Sequence, residues 1–240
     1  MLKNSQKISF VFPCLNEEKG LSIVITEVYQ VSSRNDIDFE IILADNGSTD
    51  NSIKVAQEVS HKLNIEDKIK IISEPIRGFG AACKAGLNYA SGDILILSDC
   101  DGSYEYSDEN INNLLKKINE GYDMVVGNRF SGKIEKEAMP FLNRYIGNPI
   151  LSGLTKLLFR IKIKDTQSGL RAIKRDLYKK INIESNEFQF LTEMTIKMHK
   201  LGARFTDIDI NYRIRKGKTK MTKFSGGLSN IILNLKFFIK

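Results

Sequence analysis

A chain of 240 residues, 42% hydrophobic and 27% charged, can bury the core of one α/β domain and is too apolar to stay disordered. Three cysteines (Cys14, Cys83, Cys100), odd in number and without CxxC spacing, exclude a disulfide scaffold and favour a reducing compartment. The net charge of +7 is lopsided, because Ile210–Lys240 holds eight basic residues and no acidic one, leaving the first 209 at −1; an anionic partner is expected at that end.

The first half alternates between two periods. Lys7–Phe12 is β-branched and aromatic and reads as a buried strand, and Glu17–Ser33 has helical spacing at Leu21, Val24, Ile25 and Val28. Strands follow at Phe39–Ala44, Lys68–Ser73, Asp93–Ser98 and Tyr122–Gly127, separated by helices at Asp50–Leu63, Phe79–Ala90 and Ser107–Asn119. This order predicts an α/β fold with a parallel, right-handed βαβ sheet covered on both faces. The second half predicts a helix over Phe141–Phe159, a strand at Leu170–Ile173, a helix at Phe188–Leu201, a strand at Phe205–Tyr212 and a last amphipathic helix from Leu228. Met1–Lys7 is too polar for a secretory signal, and no stretch reaches the ~20 apolar residues of a membrane span.

Ligands of an open parallel sheet bind beyond the carboxyl ends of its strands. The segments at those ends are Pro13–Glu17, Asp45–Asp50, Glu74–Gly80, Asp99–Ser103 and Gly127–Arg129, all rich in polar or charged side chains. Asp99 and Asp101 stand at the centre. Such a pair either caps the next helix or offers hard oxygen ligands to Mg2+ or Mn2+, and its place after a buried strand favours the metal. In Asp45-x-Gly47-Ser48-x-Asp50, Ser48 or Thr49 caps the following helix with Gly47 supplying the turn, Asp45 accepts hydrogen bonds from a base or ribose, or both hold, since the two readings are compatible. Gly78-Phe79-Gly80-Ala81-Ala82-Cys83 lacks the third glycine of a dinucleotide fingerprint and follows the third strand, so a dehydrogenase is not expected; Gly78 instead lets backbone approach a ligand. His61 and His199 lie far apart in helical patterns and read as solvated.

Pro13-x-x-Asn16-Glu17, Asp45-x-Gly47-Ser48-x-Asp50, Arg77-Gly78, Asp99-x-Asp101 and Gly127-x-Arg129 together resemble the GT-A family 2 glycosyltransferases. Asn143–Asn148, Asp165–Arg171, Glu187-Phe188 and Glu193 resemble the polyprenyl-phosphate hexose synthases within it (dolichyl-phosphate mannose or glucose synthases), so that the likeness runs from residue 7 to 224. It implies a GT-A, Rossmann-like sheet over residues 1–224 and an interfacial helix over 225–240. It further implies a UDP- or GDP-hexose bound against Pro13, Asn16, Glu17, Asp45, Gly78 and Asp99. Asp99 and Asp101 would hold Mg2+ or Mn2+, with Ser103 in the place of a further polar ligand. Arg129 and Arg144 would complete the catalytic set and meet phosphate, and Arg213 and Lys223 would join them on the acceptor.

The implied reaction is an inverting transfer of hexose to a polyprenyl phosphate. An acceptor phosphate is already anionic at neutral pH, so it needs no strong base, and arginine forks suit it. The basic segment Arg213–Lys223 and the apolar residues Leu228, Ile231, Ile232, Leu235, Phe238 and Ile239 predict peripheral contact with the cytoplasmic face of a membrane. A membrane-protein partner or a homo-oligomer is compatible with this reading. Two alternatives stand beside it. A saccharide hydroxyl acceptor in polysaccharide assembly would need a base, for which Asp165 and Glu193 are the candidates. A non-enzymatic binder of anionic surfaces or nucleic acid would use the basic segment alone, but no aromatic residues interleave with it as stacking platforms, so no nucleic-acid partner is expected.

Overall fold

The computed structural model describes residues 6–217 and 225–239. Alternation in the strands sorts their side chains into two cores. Ile8, Phe10, Phe12 and Cys14 of β1 (Ile8–Cys14), Phe39, Ile41 and Leu43 of β2 (Phe39–Asp45) and Ile94 and Ile96 of β4 (Ile94–Leu97) face one side. There they bury Leu21, Val24 and Val28 of α1 (Glu18–Arg34), Ala56 of α2 (Ser52–Leu63) and Ile111, Leu114 and Ile118 of α4 (Asp108–Asn119). Val11, Ile42, Leu95 and Leu97 face the other side, against Cys83 and Leu87 of α3 (Phe79–Tyr89) and Phe190, Met194 and Met198 of α7 (Gln189–Lys200). Each such side chain contributes about 1.5–3 kcal/mol by leaving water.

With β3 (Ile69–Ser73), β5 (Met124–Asn128), β6 (Arg171–Lys174) and β7 (Phe205–Asp209), the sheet has seven strands in the order β3-β2-β1-β4-β6-β5-β7. β1 pairs in parallel with β2 and β4, β2 with β3, and β5 with β7, whereas β6 runs antiparallel between β4 and β5. The parallel order of the first four strands is as expected. The antiparallel β6 makes the sheet mixed and moves β5 one strand further from β4.

The predicted helix over Phe141–Phe159 is two pieces: a π-helical turn, Asn143–Gly147, followed by α5, Asn148–Phe159. Pro149, without an amide proton, sits in the first turn of α5, where such a proton has no helical partner. A short helix, α6 (Arg175–Tyr178), was not expected, and α8 (Ser225–Ile239) begins three residues before Leu228. No helix among the described residues is long and apolar enough to cross a membrane. Lys223 lies outside the described residues.

Candidate active site

Each parallel strand ends in a segment whose polar groups are largely bonded to the next segment. Asn16, in the left-handed conformation (φ 53°), accepts at Oδ1 from the Thr49 amide at 2.7 Å, and its own amide donates to Ser48 Oγ at 3.0 Å. Asp45 closes its own turn by accepting from the amides of Gly47 (3.2 Å) and Ser48 (3.1 Å). Neither Ser48 nor Thr49 caps α2, which starts at Ser52 after Asn51 with no side-chain cap; Asp45 itself closes the turn, and its carboxylate is half-buried at the end of β2. Pro13 is half-buried in β1, and its carbonyl accepts from the Cys100 thiol at 3.4 Å. These residues stitch the first two segments together, as side-chain bonds to backbone do wherever regular structure stops.

Gly78 departs from expectation. It has φ 136°, and a Cβ there would stand 2.1 Å from the Asn186 carbonyl oxygen. The backbone it admits is this chain's own, since the Asn186 oxygen accepts from the Ala81 amide at 3.0 Å. A nucleotide contact at Gly78 is not what its missing side chain serves.

Asp99 and Asp101 lie just past β4. Helix α1 comes so close to this segment that a Cβ at Gly20 would stand 2.6 Å from the Asp101 Cα and from the Cys100 carbonyl oxygen. The Asp99 carboxylate is half-buried, accepts no hydrogen bond among the described residues, and lies against Gly169, whose Cβ would be 3.0 Å from Asp99 Oδ2. Burial, then the Asp101 charge beside it, push its pKa up to about 7. Asp101 accepts from the Ser103 amide at Oδ1 (2.9 Å) and pairs at Oδ2 with Arg215 Nη2 (3.2 Å). The same nitrogen lies 3.0 Å from Glu17 Oε1, with Glu17 7% exposed. Three carboxylates and one guanidinium therefore gather at the mouth of β4.

A divalent cation fits this donor set. Asp99 offers uncommitted hard oxygens, and the mutual repulsion of Asp99 and Asp101 is what a 2+ charge relieves; such ions are commonly held by one or two carboxylates with phosphates and water completing the shell. Ser103, expected as a further ligand, is fully buried, and its hydroxyl has no hydrogen-bond partner among the described residues.

The other basic residues are mostly committed to protein partners. Arg129, 7% exposed, forks onto Asp165, with Nε 2.7 Å from Oδ2 and Nη2 2.9 Å from Oδ1, beneath the Tyr212 ring at 5.3 Å. Arg213 forks onto Glu27 of α1 (2.9 Å to each oxygen) and reaches the Tyr104 carbonyl. Both arginines expected to meet phosphate thus have their forks on carboxylates of the chain itself. Arg144 stands apart on the π-helical turn with its guanidinium over the Tyr145 ring at 5.3 Å, without a side-chain hydrogen bond or ion pair among the described residues. Neither expected base is available. Asp165 is fully buried on Arg129, and Glu193 accepts from the Glu184 and Ser185 amides and from Ser185 Oγ, with Lys197 at 2.6 Å. Despite burial, these bonds hold the Glu193 carboxyl below the usual range.

Sequence reading missed Arg215 and Tyr104, and it held Gly169 only as part of the Asp165–Arg171 motif without a role. The Tyr104 hydroxyl accepts from the Gly169 amide (2.8 Å) and meets Ser168 Oγ (3.3 Å), bracing the Asp165–Gly169 segment beside Asp99. Arg215 was legible only as one charge among eight.

Comparison with known proteins places these features in a wider set. The family model described as glycosyl transferase family 2 matches residues 9–182. A low-salt glycan biosynthesis hexosyltransferase of Haloferax volcanii is 28% identical over 93% of this chain, which spans about half (52%) of that protein. A dolichyl-phosphate hexose transferase of the same organism is 29% identical over 92% of this chain and 89% of its own. The dolichol-phosphate mannosyltransferase of Pyrococcus furiosus is 27% identical over 90% of this chain and 59% of its own. Among solved structures, glucosyl-3-phosphoglycerate synthase from Mycobacterium tuberculosis, in complex with Mn2+ and UDP-glucose, superposes with a TM-score of 0.71 at 22% identity, covering 98% of this chain and 80% of that one. The fold is therefore of the GT-A kind.

Proposed function

Since this chain belongs to glycosyl transferase family 2, we propose that it carries a hexose from a UDP- or GDP-sugar to a polyprenyl phosphate at a membrane surface, with inversion. The observation that carries the choice of acceptor is the state of Asp165 and Glu193. Both carboxylates are sequestered by cationic partners and by burial, so neither can take a proton from a sugar hydroxyl. An acceptor that arrives anionic has no need of them.

Asp99 and Asp101 would hold Mg2+ or Mn2+, which when bound supplies Lewis-acid stabilisation of the leaving diphosphate. The same ions accompany the nucleotide in the glucosyl-3-phosphoglycerate synthase structures. Arg215, already at the carboxylates, is placed to meet diphosphate oxygens with its fork, and Pro13, Asn16, Glu17 and Asp45 line the side on which base and ribose would lie. Arg144, whose guanidinium carries no anion among the described residues, is the arginine left to meet the acceptor phosphate. Arg129 acts by fixing Asp165, and Arg213 by fixing the strand-like segment that delivers Arg215.

The membrane reading is supported by the surface of α8 and α5. Leu228 (64% exposed), Ile232, Leu235, Phe238 and Ile239 are exposed, as are Phe141, Leu142, Tyr145, Ile146, Ile150 and Leu157, although Phe238 also meets Phe159 edge-to-face. Of the six residues expected on the apolar face of the last helix, five are exposed and Ile231 is half-buried. Neither α5 nor α8 carries an acidic residue, while Lys156, Arg160, Lys200 and Lys236 are exposed around them, which suits a cytoplasmic, anionic leaflet.

The test is incubation with labelled UDP- and GDP-hexoses, Mg2+ or Mn2+ and a short polyprenyl phosphate. Label in the organic phase supports the reading; label passing instead to a saccharide acceptor contradicts it.

A further inference from the structure

Helix α8 is fastened in an unusual way. Its outer side is apolar, while its inner side buries Asn230 and Asn234, at 2% and 0% exposure. Phe237 packs against the core and Phe238 meets Phe159 of α5 edge-to-face, so the two carboxamides are polar anchors set into an otherwise apolar contact. Buried carboxamides are tolerated when bonded, and these are bonded to specific partners. The Thr155 hydroxyl of α5 donates to Asn234 Oδ1 at 3.0 Å, and the Thr192 hydroxyl of α7 donates to Asn230 Oδ1 at 2.7 Å.

The chain of bonds continues inward. Thr192 Oγ1 accepts from Gln167 Nε2 at 3.2 Å, and the same nitrogen lies 3.1 Å from Thr166 Oγ1. The Thr166 amide donates to Ser152 Oγ of α5 at 3.1 Å. The segment 165–169 thus hangs from α5, α7 and α8 on one side. On its other side Asp165 clamps Arg129, and Gly169 lies against the Asp99 carboxylate.

We infer that Thr192 and Asn230 are positioning residues: they transmit the seating of α8 on an anionic lipid surface to the segment that fixes Asp99. The inference rests on the membrane reading above for what seats α8, and on the Thr192–Asn230 and Gln167–Thr192 hydrogen bonds for the connection. Charge complementarity commits the occupant to anionic lipid, since the exposed apolar face is bordered by Lys156, Arg160, Lys200 and Lys236 with no acid on either helix. Seating orders α8; the Asn230–Thr192–Gln167 line then orders 165–169, and Asp99 is held where a cation can be shared with Asp101.

Thr192→Val keeps the shape of a fully buried residue and removes its hydroxyl, whereas Thr192→Ser keeps the hydroxyl. Amide exchange of the full chain is followed with and without vesicles containing phosphatidylglycerol. In the wild type, vesicles slow exchange in α8 and at 166–171. In Thr192→Val the protection of α8 persists, the response at 166–171 is lost, and kcat falls about tenfold with the donor KM within about twofold, as expected of misplacement rather than lost binding. Thr192→Ser restores both. A merely packing role would leave the vesicle response at 166–171 intact in the valine variant, and that result overturns the inference, as does a serine variant as impaired as valine. Failure of vesicles to protect α8 in the wild type contradicts the membrane reading itself. In that event, unchanged exchange at 166–171 in Thr192→Val without vesicles refutes the connection separately.

Discussion

Arg215 Nη2 lies 3.2 Å from Asp101 Oδ2 and 3.0 Å from Glu17 Oε1, so a guanidinium neutralises the carboxylates to which a divalent ion would be drawn. The two cations compete for Asp101. Arg215→Ala is expected to tighten binding of Mn2+ alone by about 3–10-fold, a fraction of the coupling that a partly buried ion pair carries. Titration calorimetry without nucleotide measures this, and unchanged or weaker Mn2+ binding contradicts the competition.

Asp165 is fully buried on Arg129. Asp165→Asn therefore strands a buried guanidinium, and a loss of about 3–5 kcal/mol of unfolding free energy is expected. Denaturant unfolding decides the matter. A stable Asp165→Asn protein that is catalytically dead would instead restore Asp165 as a base.

Gly20 lets α1 approach the segment carrying the two carboxylates, and a methyl there would stand 2.6 Å from Asp101 Cα. Gly20→Ala should cost about 1–3 kcal/mol by overpacking and lower transfer activity as Asp101 is displaced. Melting temperature and kcat are read together; wild-type values of both would show that the approach is not constrained.

Glu40 supplies a pH dependence far from the site. Burial raises its carboxyl pKa, but hydrogen bonds from Lys7 Nζ (2.8 Å), Ser9 Oγ (2.6 Å) and Ser91 outweigh this and hold it at about 2. A depressed folded pKa means that this contribution is complete above the ordinary carboxylate range, near 4.5, and is lost as pH falls toward 2. Glu40→Gln should lower stability at pH 7 by about 1–3 kcal/mol. The difference from wild type should shrink between pH 4.5 and the acid limit. A difference independent of pH would contradict the assignment.

Much of this architecture can be read from local patterns. The first five strands and four helices fall within about two residues of their expected limits, because each has its own period and its own stop signal. The convergence of Asp45, Asp99 and Asp101 on one edge follows from parallel strand order alone. What escaped was non-local. Asp165 meets Arg129 across 36 positions and Arg215 meets Glu17 across 198, and no periodicity records such pairings. Antiparallel β6 has only four residues, too few to reveal its direction. Asn234 is polar among the apolar residues of α8, and it is one of the points at which that helix is fastened, a partnership with Thr155 across 79 positions.

The central claim is that Asp99 and Asp101 hold the cation that neutralises the departing diphosphate. The most direct measurement is the rate of hexose transfer by Asp99→Asn and Asp101→Asn, separately and together, at saturating Mn2+ and with the melting temperature followed in parallel. The account predicts folded proteins with transfer reduced by at least about 10³-fold, the scale at which removing preorganised charge stabilisation acts. A folded double variant that still transfers hexose near the wild-type rate would contradict it.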